Sequence, residues 1–87
     1  MTDKLIRFLY ESNEKEIVID YRTIAMLSNS IPGGHTSLIT KLVFEELMKR
    51  YKRSKKLRED FILELDVGKR GKPILKVVKR SLAIESP

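Results

Sequence analysis

A long segment, residues 36–56, carries apolar side chains at the spacing of an α-helix. At about 100° of rotation per residue, these side chains fall on one broad arc, and charged residues fall on the opposite side. The apolar arc consists of Ile39, Val43, Phe44, Leu47, Met48 and Tyr51. The opposite side carries Lys41, Glu45, Lys49 and Lys52. The segment therefore predicts a long amphipathic helix that buries one face against the rest of the chain.

Two shorter helices and a strand are predicted before this segment. Thr2 is placed to cap a first helix over residues 3–11, whose apolar stripe is too wide for an isolated surface helix. Residues 16–19 (EIVI) are rich in β-branched side chains and predict a short edge strand. Asp20 then stands at the N-cap position of a second helix over residues 21–27. The inward-facing residues of that helix are Ile24, Ala25 and Leu27.

Residues 28–35 (SNSIPGGH) have the composition of a turn. Asn29 can adopt a left-handed conformation at a helix end, and Pro32 cannot continue a helix. The two glycines that follow free the backbone. The chain is therefore expected to turn here, and the long helix is expected to open at Thr36 or Ser37.

The period of the apolar pattern changes to two at Phe61, after residues 57–60, which we interpret as the helix end or a connection. The alternating apolar residues are Phe61, Leu63, Leu65 and Val67. This alternation predicts a half-buried strand. Residues 68–73 (GKRGKP) turn the chain, and residues 74–78 (ILKVV) return as a second strand. The prediction is a β-hairpin with a cationic tip.

Size and composition exclude several classes of protein. The chain has 87 residues, 41% of them hydrophobic, which suits one small domain without a deep pocket between lobes. Without cysteine there is no disulfide framework and no thiolate zinc site. Charges such as Asp3 interrupt the first apolar run, so neither a signal peptide nor a membrane span is predicted, and a cytoplasmic or nucleoid-associated location is expected. The absence of Gln and Trp, with plentiful Lys, Arg, Glu and Ile, is a bias of proteins from thermophiles.

Charge is distributed unevenly along the chain. Residues 1–48 contain five Lys or Arg against seven Asp or Glu, a net charge of −2, and residues 49–87 contain 13 against five, a net charge of +8. The total of +6 therefore comes from the second half. A polarised basic surface attracts polyanions and releases counterions from nucleic acid. Nucleic acid is therefore the predicted partner class, although basic residues near a helix C-terminus also suit the helix dipole.

The order helix, strand, helix, turn, helix, strand, basic loop, strand resembles a winged helix-turn-helix domain. The resemblance covers nearly the whole chain, about residues 3–80, and rests on topology and pattern rather than on a diagnostic motif. It implies an α+β fold of three helices and a small antiparallel hairpin, with a domain over residues 1–80 and a short extension over 81–87. It also implies that a recognition helix (residues 36–52) and a wing loop (residues 68–73) contact duplex DNA. One departure is the link between the second and third helices, which is longer than the usual turn of about three or four residues.

Nine residues are candidate contacts to nucleic acid, and each also has a purely structural interpretation. They are Thr36, Ser37, Lys41, Lys49, Lys52, Arg53, Lys69, Arg70 and Lys72. The two hydroxyl residues suit either a phosphate or a cap at a helix N-terminus. The four cations of the helix suit phosphates or a solvated face, and Glu45 and Glu46 oppose close approach of DNA along the whole helix. The three cations of the hairpin tip repel one another, which favours a backbone or minor-groove contact over protection of a sheet edge.

The predicted function is binding of double-stranded DNA by a transcriptional regulator or a chromatin-associated factor of archaeal or viral type. The alternative is an accessory subunit of a polymerase, replication or ribosomal assembly, with Tyr10, Tyr21 and Tyr51 as candidate anchors. The favoured interpretation of these three rings is core packing with the hydroxyl at the surface. A homodimer is a further variant, because the first helix is strongly apolar. No catalysis, metal or cofactor is expected, because His35 is the only histidine and SIPGGHTS lacks the lysine and spacing of a P-loop.

Overall fold

In the computed structural model, which describes residues 1–29, 36–68 and 71–80, the chain forms helices and a small sheet. The helices are α1 (Thr2–Glu11), α2 (Tyr21–Leu27), α3 (Thr36–Arg53) and α4 (Lys55–Asp60). The strands are β1 (Glu16–Ile19), β2 (Phe61–Val67) and β3 (Pro73–Lys79). Within the described ranges the fold is therefore α+β, with four helices and a three-stranded antiparallel sheet. This is one helix more than the sequence pattern predicts.

The sheet has the strand order β1-β3-β2, so β3 is the central strand and pairs antiparallel with both neighbours. Ile17 of β1 and Leu63 of β2 both stand opposite Val77 of β3, and all three side chains are buried. Because side chains alternate between the faces of a strand, this row marks the inner face of the sheet. The predicted hairpin and the predicted edge strand are both confirmed.

The core lies between the inner face of the sheet and the helices. The helices contribute Leu5, Leu9, Ile24, Val43, Phe44, Leu47 and Leu57 to it. The strands contribute Ile17, Ile19, Phe61, Leu63, Leu75 and Val77. Burying one such side chain stabilises the fold by about 1.5–3 kcal/mol. Each described helix contributes at least one of them, so burial anchors the short helices, which would be marginal alone.

The first turns of α1 and α2 are formed differently. Asp20 caps α2 as predicted, and its carboxylate accepts hydrogen bonds from the backbone N–H groups of Arg22 (3.0 Å) and Thr23 (3.3 Å). The prediction that Thr2 caps α1 is wrong. Met1 is the cap residue, and Thr2 is the first helical residue, with only 4% of its surface exposed. Because Thr2 lies within the helix, its side chain packs against the protein instead of capping the helix.

The long helix ends earlier than the sequence predicts. α3 stops at Arg53, Ser54 leaves the helical conformation (φ −102°, ψ 110°), and α4 begins at Lys55. Ser54 Oγ accepts a hydrogen bond from the backbone N–H of Leu57 (3.2 Å) and so caps α4. Residues 57–60, interpreted above as a helix end or connection, are therefore part of a separate helix.

The buried face of α3 is rotated relative to the predicted arc. Val43, Phe44 and Leu47 are buried, and Met48 and Tyr51 are partly buried, as predicted. Ile39 is 47% exposed, which corrects its predicted burial, and Thr40 is fully buried. Thr40 lies one helical turn before Phe44, whereas Ile39 lies about 140° away from Phe44 around the helix. The face that packs on the core is therefore centred on Phe44.

The core ends part-way along the hairpin. Phe61 and Leu63 are buried as predicted, but Leu65 and Val67 are 43% and 68% exposed, so their predicted burial is wrong. Leu65 stands opposite Leu75, which is fully buried. The boundary of the core therefore runs between the central strand and the edge strand.

The turn after α2 begins as predicted, because Asn29 has a positive φ of 56°. Several predicted features lie outside the described residues. They are Pro32, Gly33, Gly34, His35, Lys69, Arg70 and the extension 81–87. No helix within the described ranges is long and apolar enough to cross a membrane.

Candidate nucleic-acid interface

The outward face of α3 changes character along the helix. At about 100° per residue, the stripe opposite the buried face passes through Leu38, Leu42, the two glutamates at 45–46, Lys49 and Arg53. All of these side chains are exposed. The outside of α3 is therefore apolar in its first turns, acidic in the middle and basic in its last turns.

The basic run, residues 49–58 (KRYKRSKKLR), extends from the end of α3 into α4. Two of its cations are paired within α4. Lys55 Nζ lies 3.8 Å from a carboxylate oxygen of Glu59, and Lys56 Nζ lies 3.2 Å from one of Asp60. Exposed pairs of this kind, four residues apart, contribute only about 0.3–0.5 kcal/mol to stability. They nevertheless place a negative charge beside each lysine, which lowers the positive potential that a polyanion would meet.

Arg50 and Arg58 are engaged with neighbouring helices. Arg50 Nη1 lies 2.5 Å from Asp3 Oδ1 on α1, and this hydrogen bond lowers the pKa of the Asp3 carboxyl. Arg58 Nη1 donates to the backbone carbonyl of Lys52 in the last turn of α3. Carbonyls in that turn lack partners within the helix, so the guanidinium completes the helix end.

Lys49, Lys52 and Arg53 are the cations of this run that remain free. All three are exposed, and none of them forms an ion pair with a residue in the described ranges. They stand within the last two turns of α3, so their charges act together. The negative end of the helix dipole also favours cations at this place.

The start of α3 holds three other candidate residues. The helix begins at Thr36, as predicted, but the side chain of Thr36 lies outside the described part of the structure. Ser37 is half-buried and lies only about 20° from Phe44 around the helix, on the side of the core. Lys41 is exposed, between the buried face and the outward stripe. Of these three residues, Lys41 is the one whose side chain is both described and exposed to solvent.

Of the three predicted cations at the hairpin tip, Lys72 is the one that the structure describes. Lys69 and Arg70 lie outside the described residues, and Lys72 is half-buried. Lys72 Nζ lies 4.2 Å from the centroid of the Tyr21 ring, so this side chain turns back toward α2. The backbone N–H of Gly68 donates to the carbonyl of Lys72 (2.7 Å) and closes the base of the loop.

A cleft of about 570 Å³ separates the start of α2 from the base of the hairpin. Its lining residues are Asp20, Tyr21, Arg22, Gly68, Lys72, Pro73 and Ile74. Arg22 Nε donates to Tyr21 Oη (3.5 Å), and this hydrogen bond, with the charge of Lys72, lowers the pKa of the Tyr21 hydroxyl. The sequence pattern does not mark Arg22 as a contact residue. In the sequence, Arg22 is simply a basic residue in the first turn after the helix cap. Its position beside the hairpin follows from the fold.

The hydroxyl groups of Tyr10 and Tyr51 bond within the chain. Tyr10 Oη donates to Asp60 Oδ2 (2.5 Å), which ties α1 to α4, and Tyr51 Oη donates to the carbonyl of Phe61 (3.0 Å). Partial burial together with the Asp60 carboxylate raises the pKa of Tyr10 to about 12. Both rings therefore hold elements of the fold together, whatever else they contact.

The first turns of α3 expose three large apolar side chains. Leu38, Ile39 and Leu42 are 61%, 47% and 56% exposed. Residues one turn apart are neighbours on a helix surface, so these three form one cluster. In α1, whose apolar stripe suggested a dimer contact, Leu5 and Leu9 are buried in the core of the monomer. The apolar surface open to a partner on these two helices is therefore centred on α3.

Among the described residues, no group of three or more His, Cys, Asp or Glu side chains could hold a metal ion. Comparison with known proteins finds no matching family model, no matching curated protein and no matching solved structure. The functional conclusion therefore depends on the geometry and charge of this chain alone.

Proposed function

We propose that the protein binds double-stranded DNA as a winged helix-turn-helix protein, acting as a transcriptional regulator or a chromatin-associated factor. In this proposal α3 is the recognition helix, and the hairpin of β2 and β3 is the wing. The packing of α2 on α3 and the free cations at the end of α3 support it.

The observation that carries the proposal is the division of the basic run into paired and free cations. Three cations of the run have carboxylate partners, whereas Lys49, Lys52 and Arg53 have none in the described ranges. Like charges one turn apart destabilise a helix by a few tenths of a kcal/mol per pair, roughly 0.2–0.5. The helix dipole offsets this repulsion at the C-terminal end of α3, so stability alone does not decide why these cations are there. What supports the proposal is that their charges have no carboxylate partner in the described ranges and stand available to an anionic partner.

Contacts to phosphates are expected to dominate the affinity. Lysine is a flexible point charge that neutralises phosphates without specifying bases. The outward face of the first half of α3 presents Leu38 and Leu42, followed by two glutamates. The leucines can contact thymine methyl groups but donate no hydrogen bond to a base edge. Binding is therefore expected to depend strongly on salt and weakly on sequence.

Neutralising the free cations should weaken both DNA binding and its salt dependence. In a K49Q/K52Q/R53Q variant, glutamine keeps a helix propensity close to that of lysine and arginine. If each cation neutralises one phosphate, the slope of log affinity against log salt should become shallower by about 2.7. Fluorescence anisotropy of a labelled random duplex, titrated at several salt concentrations, measures the affinity and the slope.

The matched control removes the same amount of charge from the paired cations. An R50Q/K55Q/K56Q variant has the same net charge as the test variant, yet its slope should change much less, because those cations already face carboxylates. Equal losses in the two variants would mean that net charge alone governs binding. Wild-type binding by K49Q/K52Q/R53Q would contradict the proposed contact. Circular dichroism of both variants verifies that they are folded.

A second function, as an accessory subunit of a larger nucleic-acid assembly, is favoured by the exposed apolar cluster of α3. Leu38, Ile39 and Leu42 form a surface of the kind that occupies the centre of protein interfaces. In this arrangement the first turns of α3 contact a protein, and the cations of its last turns contact nucleic acid. The two functions therefore assign different partners to the start of the same helix.

A further inference from the structure

Two cations from distant parts of the chain converge on one aromatic ring in the cleft between α2 and the hairpin. Lys72 Nζ lies 4.2 Å from the centroid of the Tyr21 ring, and the guanidinium carbon of Arg22 lies 5.7 Å from it. A cation within about 6 Å of a ring face is attracted by the negative charge of that face. Tyr21 therefore acts as a platform that keeps two positive charges at the mouth of one cleft.

Neither cation is neutralised by a carboxylate in the described part of the chain. Arg22 and Lys72 form no ion pair there. Asp20 lines the same cleft. The hydrogen bond to Tyr21 and, to a lesser extent, the negative charge of Asp20 raise the pKa of Arg22. The Oδ1 of Asp20 accepts hydrogen bonds from the backbone N–H groups of Arg22 and Thr23. Asp20 is the one carboxylate among the described lining residues, so two cations face one negative charge in the cleft. The lowered pKa of the Tyr21 hydroxyl agrees with a positive local field.

Gly68 holds the backbone of Lys72 at the cleft. The N–H of Gly68 donates to the carbonyl of Lys72 at 2.7 Å. A Cβ atom on Gly68 would come within 3.0 Å of Ile74 Cγ2 and within 3.3 Å of that carbonyl oxygen. A side chain at this position would require Ile74 and the Lys72 carbonyl to shift by a few tenths of an ångström. The base of the hairpin therefore positions Lys72 before any ligand binds.

We propose that this cleft binds a phosphate group, with Arg22 and Lys72 as charged ligands and the Tyr21 hydroxyl as a hydrogen-bond donor. Charge-assisted hydrogen bonds from guanidinium and ammonium groups are the strong interactions that proteins make with phosphate. The volume of about 570 Å³ lies within the range of small-ligand sites. The phosphate belongs either to the DNA backbone, in which case the inference rests on the proposed function, or to a free nucleotide.

Amide chemical shifts of the ¹⁵N-labelled full chain test the cleft directly. The protein is titrated separately with inorganic phosphate, with deoxyadenosine monophosphate and with a random duplex. The amides of Tyr21, Arg22, Gly68 and Lys72 are expected to shift with at least one of them. An R22Q/K72Q variant should bind the effective ligand about tenfold more weakly or worse, because both charged donors of the site are removed.

The matched control is R7Q/K15Q, which removes one arginine and one lysine from exposed positions outside the cleft. It should bind the same ligand as tightly as the wild type. A loss in R7Q/K15Q equal to that in R22Q/K72Q would overturn the site. The amide spectrum of each variant shows directly whether it is folded.

The three ligands distinguish the source of the phosphate and separate this inference from the proposed function. Shifts at the cleft with the duplex alone assign a backbone phosphate, and shifts with the mononucleotide assign a free nucleotide. Mononucleotide binding without duplex binding supports the cleft and overturns the proposed function. Duplex binding without cleft shifts, and with unchanged affinity in R22Q/K72Q, overturns the cleft and leaves DNA binding intact. The absence of cleft shifts with all three ligands also overturns it.

Discussion

Lys79 shows how one charged residue is accommodated beside a small core. Only 8% of its surface is exposed, and its Nζ donates to the backbone carbonyls of Tyr10 (3.0 Å) and Ser12 (2.6 Å). These carbonyls lie at the C-terminal end of α1, where the helix leaves acceptors without internal partners and where its dipole favours a cation. The side chain thus joins the last residue of β3 to the end of α1.

Replacing Lys79 by Met should lower the free energy of unfolding by about 2 kcal/mol, because two carbonyls lose a charged donor while the apolar stem is retained. Urea denaturation followed by circular dichroism measures this change. Lys76→Met on the same strand is the control, since Lys76 is exposed and forms an ion pair with Asp66 (3.1 Å). An exposed ion pair of this kind contributes little to stability, so Lys76→Met should cost much less than Lys79→Met. Equal effects at the two positions would contradict the capping role of Lys79.

The break between α3 and α4 decides which residues of this region reach the core. If the helix continued through Ser54, Leu57 would lie about 140° from Phe44 around the helix, away from the buried face. In the structure the chain bends at Ser54, and Leu57 is only 7% exposed. The hydroxyl of Ser54, bonded to the N–H of Leu57, is therefore the contact that restarts the helix in a new direction.

Ser54→Ala should destabilise the protein by about 1 kcal/mol, because the first turn of α4 loses its side-chain cap. Ser54→Asp is the matched variant, and it should remain close to the wild type, since aspartate is an equally good cap and its charge suits the start of a helix. Urea denaturation midpoints of the three proteins provide the comparison. If the Ala and Asp variants were equally destabilised, capping would not be the function of this side chain.

Most elements of this fold could be predicted because their signals are local. The cap at Asp20, the alternation from Phe61 to Leu63 and the left-handed Asn29 each depend on a few neighbouring residues. The buried position of Thr40 in place of Ile39 could not be predicted from hydrophobicity, which ranks isoleucine above threonine. That choice depends on where Phe44 docks, which is a property of the whole core.

The candidate site was predictable in its residue types but not in its partners. The sequence shows a basic run, yet it does not show that Arg50 is paired with Asp3 across two helices. Similarly, the sequence places Lys72 among the cations of the hairpin, but its approach to Tyr21 and Arg22 exists only after the sheet and α2 have packed. Contacts between residues far apart in sequence therefore decide which cations can meet a ligand.

The two proposed functions differ in what covers the start of α3. A variant with Leu38→Lys and Leu42→Lys adds two cations there. If α3 lies against DNA, duplex affinity at low salt should rise roughly tenfold through the added phosphate contacts. If a protein covers that surface, the new cations lie away from the nucleic acid and affinity should change little. Anisotropy titration of a random duplex distinguishes the two.

A matched control adds the same charge on another side of the molecule. Val18 and Ile62 are 62% and 43% exposed on the outer face of the sheet, so V18K/I62K raises the net charge equally. A larger gain for the α3 variant than for this control is expected of a DNA-binding helix. Equal gains would favour the accessory-subunit function instead.

The order of strands in the sheet also limits when the sheet can form during synthesis of the chain. The central strand, β3, is synthesised after both of its neighbours. Glu16 of β1 can therefore pair with Val78 of β3 only after β3 has been made. Until then, Ile17 and Ile19 have no central strand to pair beside. Translation proceeds from the N-terminus, and pairing across a long sequence separation adds loop-closure entropy to the folding barrier. Pairing of β1 therefore cannot precede the synthesis of β3, and the apolar side chains of β1 are sheltered by the sheet only after that step.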